Sequence, residues 1–348
     1  MSDEPLAGVR VVDFSELLPG PFLTQNLVEL GATVIKVERP GGDPARAMAP
    51  GLHAACNRGK QALRLDLKSE DGKAAARDLV RGADVLVEGF RPEVMSRFGL
   101  GPERLCAEHP GLVYASLSGF GSTGPKRNLP GHDITYAADA GVLALAGVPG
   151  QSPTWGPGVP VADLAASAYG LSGILAALLR AQSTGRGAHL DISIRGSLAH
   201  WLNPRLGDFY AAGLVDLDSQ RSAALVRAAY GVFSCRDGVL VAIAALEDHF
   251  WAALVDALEL REWDGPEWTT SQDRRAAAPR INSAIATVLA RCDSEEVLSV
   301  LNAAGVPASV IRSPREALAD TDPVLVDHES ALGPFLRFPV RVRATPLL

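Results

Sequence analysis

The stretch from residue 9 to residue 40 constrains the fold more than any other part of the chain. VRVVDFS (9–15) is a short run rich in β-branched residues, the pattern of a buried strand. LTQNLVELGA (23–32) reads as a helix closed by Gly31, and TVIKVERP supplies a second strand over 33–39, stopped by Pro40. Strand, helix and strand at this spacing make a βαβ unit, which requires a parallel sheet. The pattern then repeats. QALRLDL (61–67), DVLVEGF (84–90) and LVYASLSGF (112–120) read as strands, and SEDGKAAARDLVRGA (69–83) reads as a helix with Ser69 as N-cap. RPEVMSRFGL (91–100) is a further short helix. The first 120 residues are therefore expected to form an α/β sheet domain.

A chain of 348 residues is long for one core, so two domains are expected. DLAASAYGLSGILAALLRAQSTG (163–185) predicts a long helix with small residues on one face and leucines on the other, followed by a strand and helix in HLDISIRGSL. Residues 201–225 carry no convincing core pattern and read as a linker. AYGVFSCRDGVLVAIAA (229–245) reads as two strands joined at Asp-Gly, and helices and a strand follow it. The expected organisation is a large domain over 1–200, a linker over 201–225, a smaller α+β domain over 226–315, and a C-terminal return over 316–348. In that return, GPFLRFPVRVRATP alternates like an edge strand.

Charge and cysteine content narrow the function. The net charge of −7 makes nucleic acid an unlikely partner, although a local basic pocket could still hold a small anion. Cys56, Cys106, Cys235 and Cys292 form no CxxC pair, so neither a zinc site nor a disulfide is expected, and free thiols in a reducing cytoplasm fit better. The N-terminal MSDEPLAG lacks the pattern of a secretory signal. No uninterrupted apolar run approaches the ~20 residues of a bilayer span, so no membrane span is expected. The first turn, ELLPGPFL, contains neither GxGxxG nor GxxxxGK[ST], which argues against nicotinamide and ATP chemistry.

Three groups could carry chemistry. GHDITY (131–136) places His132 beside Asp133, either as a polar turn or as an acid–base site with one residue catalytic and the other a helix cap. Asp163 opens the most apolar helix, as an ordinary N-cap or as a base or nucleophile beside helix amides. Glu247 is either a first-turn acid or a group that orients His132 from the second domain. Basic candidates for a phosphate-bearing ligand are Lys36, Arg39, Arg46, Arg58, Lys60 and Arg91, of which Arg39 and Arg91 follow strands, where α/β sheets bind ligands.

Taken in order, GVRVVDFSELLPGPFLTQNLVELGATVIKVERPGGDPAR, NRGKQALRLDLKS, DVLVEGFRPEVMSRFGLG, LVYASLSGFGSTGP and GVPVADLAASAYGLSGILAALLRAQSTGRGAHLDIS resemble the class III CoA-transferase (CaiB/BaiF-like) superfamily, which includes the alpha-methylacyl-CoA racemases. The resemblance covers nearly the whole chain. It implies a Rossmann-like large domain built from both chain ends, a smaller α+β domain, and an interlocked homodimer. It also implies an acyl-CoA substrate that carries its own CoA, with no redox or metal cofactor. Within the superfamily, GHDITY and AIAALEDHFW are closest to the racemase branch. The implied reaction is inversion of the α-carbon of a 2-methyl-branched acyl-CoA, with His132 and Asp163 on opposite faces and Glu247 holding the imidazole. The helix amides near Asp163 would take the oxyanion charge. Arg39, Arg58 and Arg91 would contact CoA, and Tyr136 would line the channel near the thiol end. The alternative is a CoA-transferase in which Asp163 forms an acyl anhydride. The absence of a glycine run in VAIAALEDHF counts against a formyl- or oxalyl-type transferase.

Overall fold

The computed structural model describes residues 4–148, 150–154, 156–327 and 332–340. Six strands build the main sheet: β1 (Arg10–Asp13), β2 (Thr33–Glu38), β3 (Gln61–Arg64), β4 (Val85–Glu88), β5 (Val113–Ser118) and β6 (Ala188–Ser193). Every pairing among them is parallel, in the order β3-β2-β1-β4-β5-β6. The order reverses at β1, and this doubly wound arrangement opens a crevice at the carboxyl ends of β1 and β4.

The helix Pro19–Glu29 starts earlier than the apolar spacing indicated, because Pro19 suits a first helical turn whose amides lack partners in any case. Ser69 caps the helix Glu70–Arg81, its hydroxyl accepting from Gly72 N at 3.0 Å. One sheet face packs Val11, Val34, Val85, Val113 and Ala115 against Leu23, Leu27 and Ile174. The other packs Val12, Leu86 and Tyr114 against Ala76, Val80 and Leu105.

The helix Val161–Thr184 crosses the first of these faces. By length and composition it is apolar enough to cross a membrane, a test that the core helix of a soluble protein also passes, and half of its most apolar window is buried inside the chain. Its small residues explain the close packing. A side chain at Gly170 would collide with Leu23, and Ser167 donates to Pro19 O at 2.6 Å.

The chain divides into two compact units. The larger comprises Met1–Leu143, Trp155–Pro204 and Thr321–Leu348, and the smaller comprises Ala144–Thr154 and Arg205–Asp320. The smaller unit holds an antiparallel sheet of β7 (Tyr230–Ser234), β8 (Leu240–Ala244) and β9 (Ala308–Val310), backed by helices that bury Trp251, Leu254, Ile281 and Ile285. Residues 201–225, read from sequence as an unpatterned linker, contain the helices Asn203–Ala211 and Leu217–Leu225. Their faces are mostly polar, so periodicity does not reveal them. In the C-terminal return, β10 (Val326–Asp327) pairs with β11 (Phe335–Leu336), rather than either joining the main sheet. The rest of the expected edge strand, 341–346, lies outside the described residues.

Candidate active site

The short helix Asp133–Asp139 follows His132 in extended conformation, so the adjacent side chains diverge. Asp133 Oδ1 accepts from Ala162 N at 2.7 Å and from Asp163 N at 3.2 Å. The acid of the pair is thus a helix cap, but for the helix that carries Asp163. Pro160 occupies that helix's own N-cap position and caps nothing through its side chain. Asp163 itself stands in the first turn rather than at the N-cap. The expected oxyanion role for these amides needs correction, because the Ala162 and Asp163 amides already donate to Asp133.

The Asp163 carboxyl is pushed up to about 7, first by burial and then by the negative charge of Asp133. No cation contributes to offset either effect. A carboxyl held near neutrality can act as a nucleophile or base when ionised and as an acid when protonated. Asp163 in turn raises the Tyr136 phenol, whose burial is the larger cause.

Tyr136 and His132 line a cavity of about 520 Å³, together with Arg91, Glu16, Arg127 and Ser118. Tyr136 is buried, and two glycines make room for its ring. A Cβ at Gly119 would lie 2.5 Å from the phenol oxygen, and one at Gly131 would overlap the ring edge. Phe120 meets the ring edge-on at 5.4 Å. Glu16, Ser118 and Arg127 were not singled out from sequence. Ser118 ends β5, and its buried hydroxyl has no protein partner. Glu16 follows β1, and burial is the largest cause raising its carboxyl. The rule that ligands gather at the carboxyl ends of parallel strands would have found both.

The other candidates lie elsewhere. Arg39 pairs with Glu16 at 3.2 Å, so it borders the cavity through one of the lining residues. Arg58 is enclosed by partners, with Nε on Asp327 at 3.0 Å, Nη2 on Leu336 O at 3.0 Å, and a further ion pair to Glu29. Arg46 holds Glu38 with Nε at 2.9 Å from Oε2. Lys36 and Lys60 are internal. Lys36 Nζ meets Ser15 O at 2.7 Å and Asp43 at 3.0 Å, while Lys60 Nζ donates to Thr24 Oγ1, Pro21 O and Asp13. These contacts brace the turn between β1 and its helix with side chains, and no glycine loop is needed. Glu247 is the N-cap residue of the helix Asp248–Ala257 in the smaller unit, where it lines a separate cavity of about 840 Å³ with Arg205, Arg227 and Arg274. Among the described residues, no group of three or more His, Cys, Asp or Glu could hold a metal ion.

The profile described as CoA-transferase family III matches residues 6–346. The chain belongs to this family. It is 35% identical to the acetyl-CoA:oxalate CoA-transferase of Acetobacter aceti, over 90% of this chain and 82% of that protein. It is 34% identical to the alpha-methylacyl-CoA racemase of Homo sapiens, over 99% of this chain and 86% of that one. A crystal structure of a CAIB/BAIF family protein from Brucella suis superposes with a TM-score of 0.83 at 30% identity, covering 98% of this chain and 93% of that chain. The family thus acts on CoA thioesters, as a transferase or as a racemase. Similar transferases are more numerous than racemases among these relatives.

Proposed function

We propose that this family member moves CoA between carboxylic acids, with Asp163 as the acyl carrier. The observation that carries this reading is the partly buried Asp163 carboxyl, held near neutrality without a cationic partner and near enough to Tyr136, which lines the cavity, for its charge to raise that phenol. Ionised, it is a better nucleophile than an ordinary carboxylate. Its oxygen attacks the thioester carbonyl, the C–S bond breaks, and CoA leaves as thiolate from a mixed anhydride. The thiolate then attacks the Asp163 carbonyl and releases the donor acid. The acceptor carboxylate displaces CoA from Asp163, and the thiolate finally takes the new acyl group. Atoms and charge balance with no further reagent. Arg91 and Tyr136 hold the CoA end in the cavity, with Arg39 beside its rim. The working enzyme is an interlocked homodimer in the cytoplasm.

A second reading is supported by His132, which lines the same cavity. In racemisation, His132 and Asp163 would transfer protons on opposite faces of the α-carbon, with Glu247 in the supporting role that the racemase resemblance gives it. Hydroxylamine separates the two reactions. With an acyl-CoA donor, transfer predicts modification of Asp163 and none in Asp163→Ala. Racemisation predicts an unmodified Asp163 and α-deuterium uptake in deuterated water, reduced by about 10²–10⁴-fold in His132→Ala. Deuterium uptake with no trapped Asp163 would overturn the transferase reading.

A further inference from the structure

We infer that Asp133 is a positioning residue that holds the first turn of the Asp163 helix and sets the pH at which Asp163 gives up its proton. This rests on the reading of Asp163 as the reacting carboxyl. The geometry is specific. One oxygen of Asp133 accepts from the amides of Ala162 and Asp163, at 2.7 and 3.2 Å, so the backbone that carries Asp163 is fixed by a group from another helix. An acid at a helix start is ordinarily favourable. Here the helix end carries a second acid, and the carboxylate that anchors the backbone also repels the charge of the side chain it anchors.

The surrounding elements leave few other groups to share this role. The Asp163 helix packs on the helices Pro19–Glu29, Asp133–Asp139 and Ile194–His200 and on β5 and β6. Glu29 is paired with Arg58, and Asp139 with both Lys126 and Arg195. His200 bonds Tyr169 at 2.6 Å, His189 bonds Ser116 at 3.1 Å, and Asp191 accepts from Ser122. The groups that act on Asp163 or feel its charge are Asp133 and the Tyr136 phenol. Burial and then Asp133 account for the upward displacement of Asp163.

The test is Asp133→Asn, which keeps an oxygen acceptor for both amides and removes the charge. Asp133→Ser removes the charge in the same way and serves if the asparagine variant does not fold. Carboxyl-¹³C aspartate labelling, assigned with Asp163→Asn, reads the Asp163 titration directly. The midpoint is expected to fall by about one pH unit, and the acid limb of kcat/KM to fall with it. A purely structural cap would lower the rate and leave both midpoints in place, and that result would overturn the inference. A midpoint that falls while the acid limb stays fixed would uphold the role of Asp133, and the assignment of Asp163 as the reacting group would then be the one to fail.

Discussion

At the scale of single residues, the site depends on space as much as on charge. Tyr136 reaches its buried position because Gly119 and Gly131 have no side chains to block it. Gly119 ends no regular element, and its backbone is not among those with positive φ, so alanine strains no torsion there. The cost of Gly119→Ala is steric, since its Cβ would lie 2.5–2.8 Å from the Tyr136 hydroxyl oxygen and two ring carbons. The ring must move into the cavity it lines. We expect a loss of about 1–3 kcal/mol in stability and a raised KM for the CoA thioester, measured by denaturant unfolding and steady-state kinetics. A substitution that left both unchanged would mean that Tyr136 is not confined as described. The reading of GHDITY from sequence was right that one of the pair caps a helix. It could not say which helix, because Asp133 and its amide partners lie 29 and 30 residues apart.

At the scale of elements, the loop between the His132 and Asp163 helices has an anchor of its own. Arg221 is 4% exposed. Its guanidinium donates to Ala144 O, Ala146 O, Val148 O and Gln151 O, so one planar fork satisfies four carbonyls of a segment without a sheet or α-helical ladder. Arg221→Met fills similar space and leaves these carbonyls without their donor. The expected loss is about 3 kcal/mol or more, with faster hydrogen exchange over residues 144–151 and little change in β1–β6. Uniform exchange, unchanged in that segment, would show that the loop holds itself. In the sequence, Arg221 lies in the 201–225 stretch read as a linker. Nothing local distinguishes an arginine that binds four distant carbonyls from one on a solvated helix face.

At the scale of the whole molecule, two desolvated carboxyls, one buried and one partly buried, oppose the stability of the fold at neutral pH. Asp163 and Glu88 are each pushed up to about 7, both chiefly by burial. The usual values of these groups are 3.8 and 4.5, so between there and 7 the folded chain keeps protons that the unfolded chain has released. Their joint contribution is therefore most favourable below about pH 4, falls as pH rises to about 7, and is level above it. Glu88→Gln retains an acceptor for Phe90 N, the partner of Glu88 at 2.8 Å. We expect this variant to exceed the parent by about 2–3 kcal/mol at pH 8 and to match it at pH 4, as read from urea unfolding at each pH. Equal differences at both pH values would exclude ionisation as the cause.

The sequence by itself determined the parallel sheet, since β-branched runs separated by helical spacing admit few other arrangements, and β1, β2, β4 and β5 fall where the pattern put them. It also determined the Ser69 cap and the Asp-Gly hairpin of β7 and β8, because capping and turn chemistry act over three or four residues. Its resemblance to known CoA enzymes named the family that the profile match establishes. Tertiary structure alone decided which groups share an environment. It gathered Arg91, His132 and Tyr136 around one cavity, enclosed Arg58 among Glu29, Asp327 and Leu336, and turned Lys36 and Lys60 inward to brace a turn. It also set the proton affinity of Asp163. That property follows from desolvation and from a charge brought in from another helix, and both arise only when distant segments pack together.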